Sequence, residues 1–166
     1  MQFLEYIVFI TALAGQTLAG TTKVKLRADS KHSEIDGNPM YYMHEGATSN
    51  YFFVEYPEAF QVNAASNSDA GPELTYDDET KIIYTEVNEH LTLNFSSNGG
   101  IVQLSGVAPV PVEIDPASGE LKFEGSDQIF AAKNINDPFG FSKDRYAVVV
   151  GDRFGGLPMV IVANFV

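Results

Sequence analysis

The chain has no cysteine and no tryptophan. Without cysteine there are no disulfides, thiolate metal sites or cysteine nucleophiles, so the fold must rest on burial and sheet hydrogen bonds. Without tryptophan the preferred platform for stacking a sugar ring is missing. Basic residues are scarce: 10 Lys and Arg stand against 22 Asp and Glu, for a formal net charge of -12. No basic patch is visible, which argues against nucleic acid as a partner. The same charge favours solubility and disfavours anionic membranes, and part of it titrates at acidic pH. No stretch keeps helical spacing over several turns. Beyond the first twenty residues no apolar run is long enough to span a bilayer. The closing LPMVIVANFV (157 to 166) is short, contains Pro158 and Asn164, and reads as a last core strand rather than a lipid-anchor signal.

What is present begins with a leader. Tyr6 to Ala14 is apolar, and Thr17-Leu18-Ala19 has small residues at signal-peptidase spacing. The region before it is atypical, with Glu5 and neither Lys nor Arg. Residues 1–19 are therefore expected to be a secretory signal, with Ala12-Leu13-Ala14 as a second cleavage site. The expected mature chain is a single domain, 20–166, outside the cell, either released or in the wall. Loss of Glu5 with the leader changes the net charge from -12 to -11.

The rest reads as all-β. Val24 to Ala28, Ile82 to Val87, Leu91 to Phe95 and Leu121 to Glu124 alternate apolar and polar residues, which buries one face of a strand and wets the other. Tyr146 to Val150 and Met159 to Val162 are continuous apolar runs, suited to strands covered on both faces. Turn-forming clusters separate them at short intervals, including Asp36-Gly37-Asn38-Pro39, Asp77-Asp78-Glu79-Thr80, Ser97-Asn98-Gly99-Gly100 and Asp115 to Gly119. The expectation is about 10–12 short strands in one domain, as a β-sandwich or barrel-like double sheet. A β-trefoil is the alternative, without a threefold repeat to support it. Residues 63 to 72 form a polar loop, and the proline-interrupted Val107 to Val112 suits an edge strand or an extended cover over the core.

Asn94-Phe95-Ser96 is a glycosylation acceptor. Alternation puts Leu91, Leu93 and Phe95 on one strand face and Thr92, Asn94 and Ser96 on the other. Asn94 is thus assigned to the face where a glycan must point.

Motifs for chemistry are sparse. His32, His44 and His90 show no metal-ligand spacing. Asp77-Asp78-Glu79 offers hard oxygen ligands but no EF-hand pattern, and reads as a solvated turn. Asp127, Asp137, Asp144 and Asp152 each stand beside a turn residue and read the same way. Gly125-Ser126-Asp127 lacks the closing glycine of a nucleophile elbow, and Gly151 to Gly156 lacks the lysine of a phosphate loop. No cofactor is implied and no enzyme mechanism is expected. Tyr41, Tyr42, Tyr51 and Tyr56 are close in sequence and form the candidate ligand-binding face, the ligand being a sugar.

Two stretches resemble known proteins. LRADSKHSEIDGNPMYYMHEG (26 to 46) resembles the opening of small secreted wall proteins of ascomycete fungi, of the phialide-associated PhiA type. GELKFEGSDQIFAAKN (119 to 134) with RYAVVVG (145 to 151) resembles the carboxyl-terminal region shared by such proteins and Pir-type mannoproteins. The chain departs from them where Ala131 and Ala132 follow the aromatic without a nearby cysteine. SEIDGNP (33 to 39) is single and lacks the glutamine used for linkage to glucan. The resemblance implies a small secreted or wall-associated glycoprotein with a structural or surface role, whose partner is cell-wall polysaccharide. The other two expectations are a carbohydrate-binding, lectin-like module and a small secreted hydrolase with an acid pair.

Overall fold

A computed structural model describes residues 20–54 and 71–166. The leader, most of the polar loop 63 to 72, and Tyr56 lie outside the described residues. Alternation does what the sequence demands of it. In β1 (Thr21–Asp29) Val24, Leu26 and Ala28 are buried while their neighbours stay wetter. The same pattern shapes β4 (Leu74–Asp77), with Leu74 and Tyr76 inward, and β6 (Leu91–Asn98), with Leu93 and Phe95 inward. The other described strands are β2 (Met40–His44), β3 (Ser49–Val54), β5 (Ile82–Asn88), β7 (Ile101–Ser105), β8 (Glu113–Ile114), β9 (Leu121–Lys122), β10 (Ile129–Ala132), β11 (Tyr146–Val150), β12 (Leu157–Pro158) and β13 (Val160–Phe165). Single 3₁₀ turns cover Ser126–Gln128 and Phe141–Lys143.

Eleven strands form one antiparallel sheet, ordered β12-β10-β11-β3-β7-β6-β5-β4-β1-β13, with β2 paired to β3. The two ends of this order are consecutive pieces of chain, separated only by Met159. The Met159 N–H donates to Ile129 O at 3.0 Å. One stretch therefore bonds to β10 through β12 and to β1 through β13. The sheet is nearly closed on itself, which is the barrel-like arrangement expected from the sequence and leaves few unpaired edges.

The interior is packed around an aromatic file. The Phe52 and Phe95 rings lie 5.9 Å apart, and Phe95 meets Phe123 edge-on at 5.2 Å. Ile35, Met40, Leu74, Ile83, Leu104, Leu121 and Ile161 fill the space around them. The proline-rich segment acts as a cover rather than a strand: the Val110 N–H donates to Phe95 O, the Val112 N–H to Lys81 O, and Val112 is buried in the core.

A second, smaller apolar layer lies on the opposite face of β3, β10 and β11. Phe53, Ala132, Ile135, Ala147 and Val149 form it, with Met43, Tyr51, Ile101, Phe130, Phe141 and Phe154 packed around. This explains the continuous apolar runs. In β11, Val148 enters the main core while Ala147 and Val149 enter the second layer.

Two details depart from simple alternation. Register shifts between Glu86 and Asn88, and Val87, skipped by the β5–β6 pairing, is 55 % exposed instead of continuing the apolar face of β5. Ser96, assigned to the wet face with Asn94, is buried. Its hydroxyl meets that of Ser105 on the adjoining β7 at 2.9 Å, so a hydrogen bond compensates the desolvation.

Candidate functional site

The chemically unusual part of the molecule is where the β2–β3 turn meets the loop after β10. Glu45 follows β2 directly. Its N–H donates to Ser49 O at 2.9 Å, and Gly46 and Ala47 adopt φ of 100° and 48° to close the turn. That tight turn fixes the Glu45 side chain against the loop. There Asn134, Asn136 and Gly140 have φ of 57°, 62° and 71°, left-handed values tolerated best by glycine and asparagine. Ser142 is the hub of the loop. Its N–H and hydroxyl donate to the Asp137 carboxylate, and its Oγ accepts from the Ile135 N–H at 3.0 Å. Glu45 Oε2 accepts the Phe139 N–H at 2.9 Å.

Glu45, Asp137 and Ser142 are 4 %, 8 % and 1 % exposed. Burial raises the Glu45 pKa to about 7, against the lowering effect of the Phe139 N–H and with further raising by Asp137. Burial also pushes Asp137 upward, but the hydrogen bonds from Ser142 and Glu45 outweigh it and hold this carboxyl below its ordinary value. Burial raises the Tyr51 phenol as well, helped by the two nearby carboxyls. The physical picture is a carboxylic acid bonded to a carboxylate. Glu45 is the member of the pair that retains a proton more readily, and Asp137 the one that ionises. Glu45 Oε1 is buried without a hydrogen-bond partner among the described residues.

A cleft of about 300 Å³ opens in the loop that carries Asp137, lined among others by Asn134, Asn136, Asp137, Phe139 and Lys143. Phe139 is 59 % exposed at its rim. Its ring contacts His44 at 6.1 Å and Phe141 at 6.2 Å, and Arg145 lies over the Phe141 ring at 5.7 Å.

The pleat separates the candidate tyrosines. Tyr42 turns toward the main core and meets Phe52 edge-on at 6.1 Å. Tyr51 packs on the second layer, and Tyr41, opposite Phe53 in the register, shares that face. Tyr56 lies outside the described residues. Asn94 is half-buried on β6, and its Nδ2 donates to Val107 O at 3.3 Å. Asp77 is engaged in its own turn, accepting the Glu79 and Thr80 N–H groups, and its pKa is lowered chiefly by Thr80. Among the described residues no three His, Asp or Glu side chains gather as a metal site.

Sequence reasoning missed the buried pair. Asp137, read as a solvated turn residue, is buried. The signals were Gly140 and the density of turn formers in NINDPFG (134 to 140), which mark a tightly built loop but not its partner.

No family model matches the chain, and no solved structure does. Three curated relatives from Candida albicans match nearly all of it. Cell wall protein PGA30 is 38 % identical over 96 % of this chain, Cell wall protein PGA31 39 % over 99 %, and Cell wall protein RHD3 33 % over 94 %. The chain spans about half the length of the first two, 54 % and 53 %, and 72 % of RHD3. With a match of that extent, the chain belongs to the fungal cell wall protein family that includes RHD3, PGA30 and PGA31.

Proposed function

We propose that the chain is a noncatalytic, extracellular β-barrel domain that associates with the cell wall and serves a structural or surface role. The observation that carries this reading is the similarity to cell wall proteins along 94–99 % of the chain. The acid pair supports it. Carboxyls that hydrolyse glycosides stand about 5–9.5 Å apart, flanking the bond to be cut. Here Glu45 and Asp137 are close enough to shift each other's ionisation, and the partners that hold them, the Phe139 N–H and Ser142, belong to the loop. The PhiA-like and Pir-like stretches fit the same class. The leader and the sequon belong to the proposal too. β1 begins at Thr21, and the Gly20 N–H lies 2.7 Å from Asp78 Oδ1. Cleavage after Ala19 would make that nitrogen an ammonium and the hydrogen bond an ion pair.

Sequential extraction of isolated walls with detergent and mild alkali tests the assignment: the protein is expected in wall and medium fractions. Release of reducing ends from glucan, chitin or mannan by the purified protein, abolished by Asp137→Asn, would contradict the noncatalytic part. For the sequon, endoglycosidase treatment is expected to increase mobility, with the glycan mapped to Asn94. An attached glycan leaves one hydrogen on Nδ2, enough to keep the bond to Val107 O. An unmodified Asn94 peptide in the secreted protein would reject the glycan.

A further inference from the structure

We infer that the cleft in the loop after β10, lined by residues 134 to 143, is a binding site for a neutral wall glycan, with Phe139 as its stacking platform. The inference rests on the wall reading above and makes Phe139, rather than the tyrosines, the stacking platform.

Three independent features converge there. The first is the display of Phe139. Its ring is 59 % exposed and offers an apolar face on which a sugar ring can stack. Phe139 is also held: the His44 and Phe141 rings flank it, and Glu45 fixes its backbone N–H. A ring positioned this way loses little conformational freedom when a ligand stacks on it.

The second feature is the wall of the cleft. Asn134 and Asn136 are exposed, and their side-chain amides make no hydrogen bond within the described residues. Each amide presents donors and an acceptor, the combination that reads sugar hydroxyls. Lys143, which also lines the cleft, adds a donor. A cleft of about 300 Å³ is at the small end of ligand sites and suits a short stretch of a chain passing through rather than a large enclosed ligand.

The third feature is charge. The chain carries a net charge of -12, which opposes an anionic polymer, while a neutral hexose or N-acetylhexosamine polymer meets no such barrier. The buried acid pair then has a positioning role. It holds the loop that carries the platform and the amides without itself facing the ligand.

The test is titration of the full secreted chain with soluble β-glucan, chitin and mannan oligosaccharides, followed by calorimetry or by the chemical shifts of the Phe139 loop. Saturable binding of at least one is expected. Phe139→Ala is expected to weaken it at least tenfold and Asn136→Ala severalfold, with Phe139→Tyr retaining it. Phe165→Ala, which trims an exposed aromatic at the end of β13, leaves binding unchanged. Unchanged thermal midpoints show that the variants fold. No saturable binding of any of the three would overturn the inference, as would equal binding by Phe139→Ala. So would self-association or capture of a protein lost in Phe139→Ala without glycan binding, since the platform would then be a protein contact. Wall recovery of the same preparations separates the two claims. Wild-type protein in the wall that binds no glycan sinks the cleft but not the wall assignment, and absence from both wall and medium sinks the wall assignment.

Discussion

Phe95→Ala is expected to cost about 3–5 kcal/mol, a large part of the roughly 5–15 kcal/mol that holds a domain of this size together. Phe95 is fully buried at the centre of the aromatic file, touching Phe52 on one side and Phe123 on the other. Removing its ring loses the transfer free energy of the side chain and leaves a cavity whose walls belong to different strands. Those strands are tied into a nearly closed sheet, so they cannot move inward together to fill the void. There is no disulfide to hold the chain if the core loosens. Denaturant titration followed by tyrosine fluorescence measures the loss. A conservative Phe95→Leu should cost distinctly less. Equal stability of Phe95→Ala and wild type would mean that the aromatic file is not the centre of the core.

The second large effect concerns the acid pair and has a defined pH dependence. Glu45 in the unfolded chain ionises near its ordinary value of 4.5, whereas in the folded chain it keeps its proton up to about 7. Between those values the folded state binds more protons, so stability falls as pH rises. The contribution is fully present below 4.5 and lost as pH passes through 7. A shift of this size corresponds to on the order of 2 kcal/mol after allowance for coupling to Asp137 and for solvent screening. Asp137 acts in the opposite sense. Its lowered pKa contributes stability above its ordinary value of 3.8, lost as pH falls through the folded value. Glu45→Gln keeps a donor for Asp137 and an acceptor for the Phe139 N–H but cannot ionise. The stability difference between wild type and Glu45→Gln is therefore expected to shift by about 2 kcal/mol in favour of the variant between pH 4.5 and 7.5. Asp137→Ala is harsher. It leaves the Ser142 N–H and hydroxyl and the Glu45 proton buried without their acceptor, at a cost of about 3 kcal/mol at pH 5. A pH-independent difference between wild type and Glu45→Gln would refute the shared-proton description.

The clamp suits an acidic surrounding, where Glu45 is protonated and the loop is held most firmly. It also shows where sequence reasoning reaches its limit. The strands were legible because a strand writes its own pattern: Val24, Leu26 and Ala28 announce one buried face, and Ala147 to Val149 announce two. The opposed directions of Tyr41 and Tyr42 follow from the same pleat, since adjacent residues on a strand cannot share a face. Val87 escaped because a bulge resets the count, and the bulge has no clear mark in the local sequence. Ser96 escaped because its burial depends on Ser105, supplied by the next strand. The acid pair escaped for the same reason at longer range. Glu45 and Asp137 each sit near glycine in a turn, which reads as solvent. Only the pairing of β2 with β3, and of β3 with β11, brings the two turns together.

The wall-surface account rests on a chain that leaves the cell and loses its leader, beginning in the barrel itself. Mass spectrometry of the protein extracted from culture medium and from isolated walls tests this most directly. The account predicts an amino-terminal peptide starting at Gly20, with residues 1–19 absent, in one or both fractions. Recovery of the chain from cytosol with Met1 to Ala19 still attached would contradict it.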